Sequence, residues 1–422
     1  MLLIPFLRDA KIREKGHIRH KNSRGKVEGT RNKAQGARSK HKWEFRSVGF
    51  SCILYLVPCS LLMLRLQHIS LVQFKNYSKR SFSFKERIIG ICGKNGVGKT
   101  NLLDAIHYLC FTKSYFTRLD GTNVQHGNTG FRIEAAVSLN DKIEKAVCIL
   151  RETGRKEFWV NEGIYEKFSQ HIGRYPCVVI APDDAELITG ESKERRTFLD
   201  ALLCQLDAEY MKQLIVYKKN LEQRNSLLKT FAESGQKDLS LLDVLDEQLI
   251  KPGNYVFNKR KEFLISFLPL VKHLYNDISK QEEDVNLFYE SELLLASFEE
   301  LLKLNRTKDC IVQRTSSGIH RDDLEIQLGK QDFKSIASQG QRKSLLFALK
   351  LAEMEVLKKE KGFAPLLLLD DVFEKLDEDR IGNLLNKVCV ENDGQVFITD
   401  TNEERLRSHL ESLSVGYQLI AL

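Results

Sequence analysis

Gly93-Lys94-Asn95-Gly96-Val97-Gly98-Lys99-Thr100 decides the reading of this chain. A glycine, four residues and then Gly-Lys-Thr is the spacing of a phosphate-binding loop. The setting agrees with the letters. Ile88-Ile89-Gly90-Ile91-Cys92 before it is an apolar run with strand character, and Asn101-Leu102-Leu103-Asp104-Ala105-Ile106 after it has helical spacing. Glycines at 93, 96 and 98 let the backbone turn tightly, so successive N–H groups face phosphate oxygens. The following helix aims its positive end at the same anion. The eight residues are therefore expected to hold ATP, with Lys99 on the β- and γ-phosphates and Thr100 on Mg²⁺. A chance glycine-rich turn is the alternative, and the strand–loop–helix context argues against it.

A second stretch completes such a site. Pro365-Leu366-Leu367-Leu368-Leu369-Asp370-Asp371 reads as a buried parallel strand ending in two acids. Ligands bind at the carboxyl ends of such strands. Asp370 is expected to hold Mg²⁺ together with Thr100, and Asp371 to orient or deprotonate the attacking water. Lys99 and Asp371 are thus the expected catalytic residues. Asp377, a few residues on, is placed beside the site of a second copy. Ser338-Gln339-Gly340-Gln341 precedes a helix with Leu345, Leu346, Leu349, Ala352 and Val356 on its apolar positions. Ser338 and Gln341 fit a capping box, which needs no function. The same helix start is also a second anion site.

Around these motifs the chain alternates. Strands are expected over 64–74, 80–84, 87–92, 131–139, 144–151, 156–160 and 176–181, with a helix over 99–110. Residues 191–305 turn helical: Ser192 is read as a cap, and helices near 207–232 and 238–276 as interrupted at Pro252-Gly253. Strands near 310–315, 323–328, 365–370, 394–399 and 416–421 then enclose helices near 339–360 and 378–390. The expected division is a leader (1–62), one half of an ATPase lobe (63–190), a helical lobe (191–309) and the other half (310–422). The fold class is α/β, one ATPase lobe built from both ends of the chain with a helical lobe inserted.

Charge argues for restraint. The 422 residues carry a net charge of +8, but residues 1–62 alone carry 14 Lys+Arg against 4 Asp+Glu. The remainder is near neutral, so contact with nucleic acid requires a local patch. Lys113 to Arg118, Lys218-Lys219 and Lys259-Arg260-Lys261 are the candidates, each equally readable as solvated surface. Residues 48–64 carry no charge and are at the short edge for a bilayer span. Met63 stands directly before the first strand, and 1–62 is read as a start-site artefact or dispensable leader rather than an anchor. An N-terminal peptide from within 1–62, found by mass spectrometry of the natural protein, would refute this. The cysteines show no Cys-x-x-Cys pair and read as reduced thiols of a cytoplasmic protein.

The order of the motifs carries a resemblance. Phosphate loop, Ser-Gln-Gly-Gln, then an apolar strand with Asp-Asp resembles the ATP-binding-cassette (ABC-type) ATPases. Within that class the chain is similar to the RecF family. The residues that carry this are Leu66…Leu71…Phe74-Lys75-Asn76-Tyr77, Ala181-Pro182-Asp183-Asp184, Arg195-Arg196-Thr197-Phe198-Leu199-Asp200, His320-Arg321-Asp322-Asp323 and Leu368-Leu369-Asp370-Asp371-Val372. The resemblance spans 63–422. It departs at Ile319, where the family usually has proline, and at Glu374-Lys375-Leu376-Asp377, where it usually reads Ser-Glu-Leu-Asp. It implies an ATP-sandwiched homodimer, in which Ser338, Gln339, Gly340 and Gln341 of one copy close on ATP held by the other. It also implies a weak DNA-stimulated ATPase acting as a switch at gapped or junction DNA, single- and double-stranded, in the DNA-damage (SOS) response. RecO and RecR would be its partners in loading RecA, with no membrane contact. A transporter ATP subunit fits less well, because Lys99 and Ser338 are 239 positions apart, far more than in transporters. An SMC-like chromosome-structuring ATPase would need longer, uninterrupted heptads. Asp371 in place of the glutamate common in transporters, and no histidine in Phe397-Ile398-Thr399-Asp400-Thr401, imply slow hydrolysis.

Overall fold

A computed structural model describes residues 63–235, 238–279, 283–373 and 378–422. The leader, the apolar stretch within it and Glu374–Asp377, including the place expected for Asp377, lie outside the described residues. The strands are β1 (Leu64–Phe74), β2 (Tyr77–Ser83), β3 (Ile88–Cys92), β4 (Phe131–Leu139), β5 (Lys142–Leu150), β6 (Lys156–Val160), β7 (Gly163–Ile164), β8 (Cys177–Ile180), β9 (Val285–Glu290), β10 (Asp323–Leu328), β11 (Gln331–Asp332), β12 (Leu366–Leu369), β13 (Val396–Asp400) and β14 (Tyr417–Ala421). The helices are α1 (Lys99–Phe111), α2 (Glu186–Thr189), α3 (Ser192–Leu206), α4 (Ala208–Ser234), α5 (Leu239–Ser279), α6 (Phe298–Val312), α7 (Phe333–Ile336), α8 (Gln339–Lys361), α9 (Glu378–Leu385) and α10 (Glu403–Ser412).

The central sheet has the order β14-β3-β13-β12-β8, and all its pairings are parallel. β3 and β8 precede the helical stretch while β12, β13 and β14 follow it, so both ends of the chain build one sheet. Every residue of β3, β8, β12 and β13 is buried. That is why β3, β8 and β12 read as apolar runs, while β13 is apolar until Thr399 and Asp400 at its carboxyl end. A second, antiparallel sheet has the order β2-β1-β4-β5-β6-β7. In β4, Phe131, Ile133, Ala135 and Val137 alternate inward. They share one core with α1 and with Ile89, Ile91, Leu366 and Leu368 of the parallel sheet. The opposite face, including Ile88, Val178, Ile180, Leu367 and Ile398, packs with α3, α5 and α8. Among the described residues no helix is long and apolar enough to cross a membrane.

Local expectations fail where packing overrides punctuation. α5 runs unbroken through Pro252 and Gly253. A Cβ on Gly253 would stand 2.5 Å from Phe298 Cε1 and 3.1 Å from Tyr217 Cε2, so the glycine admits close neighbours rather than ending the helix. The strand expected over 310–315 does not form. A capping box of Ser297 and Glu300 starts α6, which continues to Val312 and ends at Gln313 in the left-handed region, φ 56°. Ser192 is the first residue of α3 and Glu191 occupies the cap position without a side-chain hydrogen bond. The helix expected over 378–390 stops at Leu385 and passes into a π-helical turn, Asn386–Glu391. β9 and α10 were not expected.

Candidate nucleotide site

The carboxyl ends of β3 and β12 meet at one edge of the parallel sheet. Gly96 (φ 82°) and Gly98 (φ 119°) of the loop lie in the left-handed region that only glycine adopts freely. Gly98 also has no space for a side chain: a Cβ would stand 2.7 Å from Asn76 Nδ2 and 2.8 Å from Tyr77 Oη. Lys99 is 5% exposed. Its Nζ donates to the carbonyls of Gly93 at 2.9 Å and Lys94 at 3.3 Å, so the ammonium is folded over the loop's own curve. Lys94, Asn95 and Gly96 form the exposed rim.

Across the loop, Thr100 Oγ1 donates to Asp370, 3.1 Å from Oδ1 and 2.9 Å from Oδ2. Thr399 Oγ1 donates to Asp370 Oδ1 at 2.8 Å and accepts the Asp371 N–H at 2.9 Å. One hydroxyl at the end of β13 therefore holds both acids. Asp371 has φ 44°, a left-handed position an aspartate tolerates. Burial pushes the Asp370 carboxyl above its usual range, against the opposing effect of the Thr399 and Thr100 hydroxyls and of Lys99; Asp183 adds to the rise. A buried carboxylate whose ionised form is disfavoured, beside a hydroxyl and facing a phosphate loop, is an all-oxygen donor set suited to Mg²⁺. Among the described residues no group of three or more His, Cys, Asp or Glu could hold a metal by itself.

The opening motif buttresses the loop, a role the sequence reading did not assign. Asn76 Nδ2 donates to the Val97 carbonyl at 2.9 Å, Tyr77 Oη to the Gly98 carbonyl at 3.0 Å, and Asn101 Nδ2 to Asn76 Oδ1 at 2.8 Å. Lys75 Nζ pairs with buried Asp104 of α1 at 2.5 Å. The only signal was the place of Asn76-Tyr77 after the first strand. Tyr77→Phe removes one hydrogen bond, about 1 kcal/mol. Titration with fluorescent ATP is expected to show a several-fold weaker affinity; unchanged affinity would mean that the loop holds its own shape.

The signature stretch is capped as expected. Ser338 Oγ accepts the Gln341 N–H at 3.2 Å and Gln341 Oε1 accepts the Ser338 N–H at 2.7 Å. Ser338 and Gln339 are exposed, Gly340 half-buried. Gln341 Nε2 also donates to Glu283 at 2.9 Å. Further along α8, buried Lys350 lies 3.6 Å from Asp184 and donates to Tyr115 Oη at 3.3 Å, while the Tyr115 hydroxyl donates to Asp184. The helix is thus tied midway to the loops after β8 and α1. Among the described residues, none of Ser338–Gln341 hydrogen-bonds to the phosphate loop of the same chain.

Within the arginine and aspartate motifs Arg195 and Asp322 are buried and Arg196 and Asp323 half-buried, while Arg321 is exposed. Arg195 forms a two-pronged pair with Asp323 at 2.7 and 2.9 Å, and Arg196 donates to the Asp322 carbonyl at 2.6 Å. Arg260, 2% exposed, bonds Asp200 at 2.8 Å, Asp322 at 2.7 Å and the Ile319 carbonyl at 2.8 Å. Arg260 is therefore neither a phosphate contact nor solvated surface, which corrects both readings for that residue, while Lys259 is half-buried and Lys261 exposed. Fully buried Arg224 likewise joins Asp246 at 2.6 Å and Asp309 at 2.8 Å. Lys218 lies 3.6 Å from Asp200 and Lys259 3.5 Å from Asp207.

Similar proteins agree with this geometry. A family model described as RecF/RecN/SMC N terminal domain matches residues 65–418. The DNA replication and repair protein RecF of Flavobacterium johnsoniae is 44% identical over 359 residues, covering 85% of this chain and 100% of that protein. The protein of the same name from Phocaeicola vulgatus is 40% identical, covering 85% and 96%. A solved structure of the recombination mediator protein RecF with ATP, in the RecFOR pathway, superposes with TM-score 0.75 at 30% identity, covering 81% of this chain and 93% of that one. The architecture is accordingly the α/β head of an ABC-type ATPase, and the chain belongs to the RecF family of DNA replication and repair proteins.

Proposed function

We propose that this chain is an ATP-switched DNA clamp of recombinational repair. Two copies trap ATP, the loop Gly93–Thr100 of each facing Ser338, Gln339, Gly340 and Gln341 of the other. The observation that carries this reading is the split of the machinery. Lys99, Thr100, Asp370 and Asp371 converge at one sheet edge, while exposed Ser338 caps a helix whose middle, not its tip, meets the loops beside that edge. Thr100 and Asp370 would hold Mg²⁺, which when bound neutralises charge on the β- and γ-phosphates. Lys99 binds the same phosphates, and Asp371 orients the attacking water and accepts its proton. Residues 63–190 and 310–422 act as one ATPase lobe and 191–309 as an arm on it. Exposed Lys113, Arg118 and Lys219 remain as candidates for DNA phosphates. Membership of the family supports a cytoplasmic role at gapped or junction DNA, with RecO and RecR, in loading RecA.

Gel shift on gapped or tailed duplex tests this reading: binding is expected to need ATP. Asp371→Asn is expected to slow turnover roughly a hundredfold while leaving ATP bound, so the shifted complex persists. Binding indifferent to ATP would contradict the clamp, and unchanged turnover would remove Asp371 from its role.

A further inference from the structure

His320-Arg321-Asp322-Asp323 has one member that the fold leaves exposed, Arg321. It lines a cavity of about 700 Å³ together with Arg314 and Lys308, which are exposed as well. None of the three side chains forms an ion pair or hydrogen bond among the described residues. The segment that carries both arginines is fixed from below. Fully buried Arg224 donates to Thr315 Oγ1 at 2.9 Å, and Asn225 Oδ1 accepts the Thr315 N–H at 2.7 Å. Asp309 Oδ1, also fully buried, accepts from the Ser316 N–H at 2.9 Å and from its Oγ at 2.6 Å. The Arg321 N–H closes a turn on the Gly318 carbonyl at 2.8 Å. Such a network holds a segment in one geometry, yet the two cations it presents meet no acid. The same cavity has an apolar part. β9 is followed by a 3₁₀ turn, Glu292–Leu294, in which Leu293 is buried and exposed Leu294 lines the cavity. Leu295, 90% exposed, and exposed Val312 at the end of α6 line it too. Exposed leucines scattered singly need no partner, but three apolar side chains grouped around one concavity do. Acids are present without meeting the cations. Glu290 and Glu292 line the cavity and form no ion pair among the described residues. Burial and the neighbouring carboxylates of Glu325 and Asp323 push the Glu290 carboxyl above its usual range. Asp323 itself is engaged by Arg195.

We propose that this cavity is a docking site for a partner protein, which inserts a short segment rich in carboxylates and large apolar side chains. The carboxylates meet Arg314, Arg321 and Lys308, and the apolar side chains pack on Leu294, Leu295 and Val312. The volume suits a few side chains, since pockets that enclose compact ligands span about 300–1,000 Å³. Guanidinium groups bind carboxylates through two parallel hydrogen bonds, which gives the contact direction as well as strength. Nucleic acid fits the same place less well. Its backbone would bring a phosphate at every step against Glu290 and Glu292, which no cation neutralises. A polypeptide can direct its acids to the cations alone. None of the lining residues belongs to the nucleotide site, and docking here does not require the sandwiched dimer.

A phage-displayed library of random dodecapeptides, selected on the unaltered full chain, tests the assignment. Enriched peptides are expected to combine Asp or Glu with Leu, Ile or Phe. Synthesised with a fluorescent label, they are expected to bind the Arg314→Glu, Arg321→Glu chain about tenfold more weakly in fluorescence polarisation. Arg314→Gln with Arg321→Gln removes the charges without reversing them, and is expected to show the same loss in smaller measure. Leu295→Ser is expected to weaken the peptides severalfold by removing apolar contact. All these side chains are exposed, so each variant should keep the ATP affinity and melting midpoint of the unaltered chain. A selection that yields no acidic and apolar class would overturn the assignment, as would peptides that bind every variant as tightly as the unaltered chain. So would loss of gapped-duplex binding in the glutamine variant, because the cavity would then face nucleic acid.

Discussion

Lys99→Ala is expected to abolish ATP-dependent dimerisation. The ammonium is almost fully buried and already curled over the loop by the Gly93 and Lys94 carbonyls. Screening by solvent is weak there, so a bond from it to a phosphate would be charge-assisted and strong. Removing one partner of such a buried pair costs about 4 kcal/mol, roughly a thousandfold in affinity. Light scattering with ATP and Mg²⁺ should show only monomer, while circular dichroism shows an unchanged fold. A dimer of ordinary strength would mean that association does not use the phosphate loop.

The second large effect is on stability. Arg260→Ala leaves Asp200 and Asp322 without their shared cation, with Asp322 and Arg260 each 2% exposed in their side chains. Breaking one member of a buried ion network costs about 3–5 kcal/mol. The melting midpoint should fall by roughly 10 °C. Lys261→Ala, one residue on and exposed, should change stability by less than about 0.5 kcal/mol. A DNA-contact role for Arg260 would give the reverse: an unchanged midpoint with weaker, less salt-dependent DNA binding. Thermal unfolding of the two variants separates these outcomes.

Those two residues mark where the sequence was legible and where it was not. The phosphate loop could be read because its device is local. The glycines shape the backbone, the lysine and threonine place Nζ and Oγ1 beside it, and eight consecutive letters contain them all. Asp370 was legible because a central parallel strand is apolar throughout and ends at the ligand edge. Thr399 was not, since it meets Asp370 and Asp371 only through the pairing of β13 with β12. Asn76 and Tyr77 reach the loop for a similar reason, through a strand that lies in a different sheet. Charge was misleading in the same way. Lys259-Arg260-Lys261 looks like one basic surface, yet helical spacing turns Arg260 inward to acids 60 and 62 positions away in sequence. Pro252-Gly253 looked like a break because turn letters carry no information about a neighbour such as Phe298 that needs the missing side chain.

Cross-linking tests the sandwich most directly. One preparation carries Asn95→Cys at the exposed rim of the phosphate loop, and the other Ser338→Cys at the exposed tip of α8. A mixed pair brings these cysteines together at one site and keeps the other site intact. With ATP, a short bismaleimide is predicted to give a covalent dimer from the mixture and from neither preparation alone. No covalent dimer with ATP, or the same yield without it, would contradict the account.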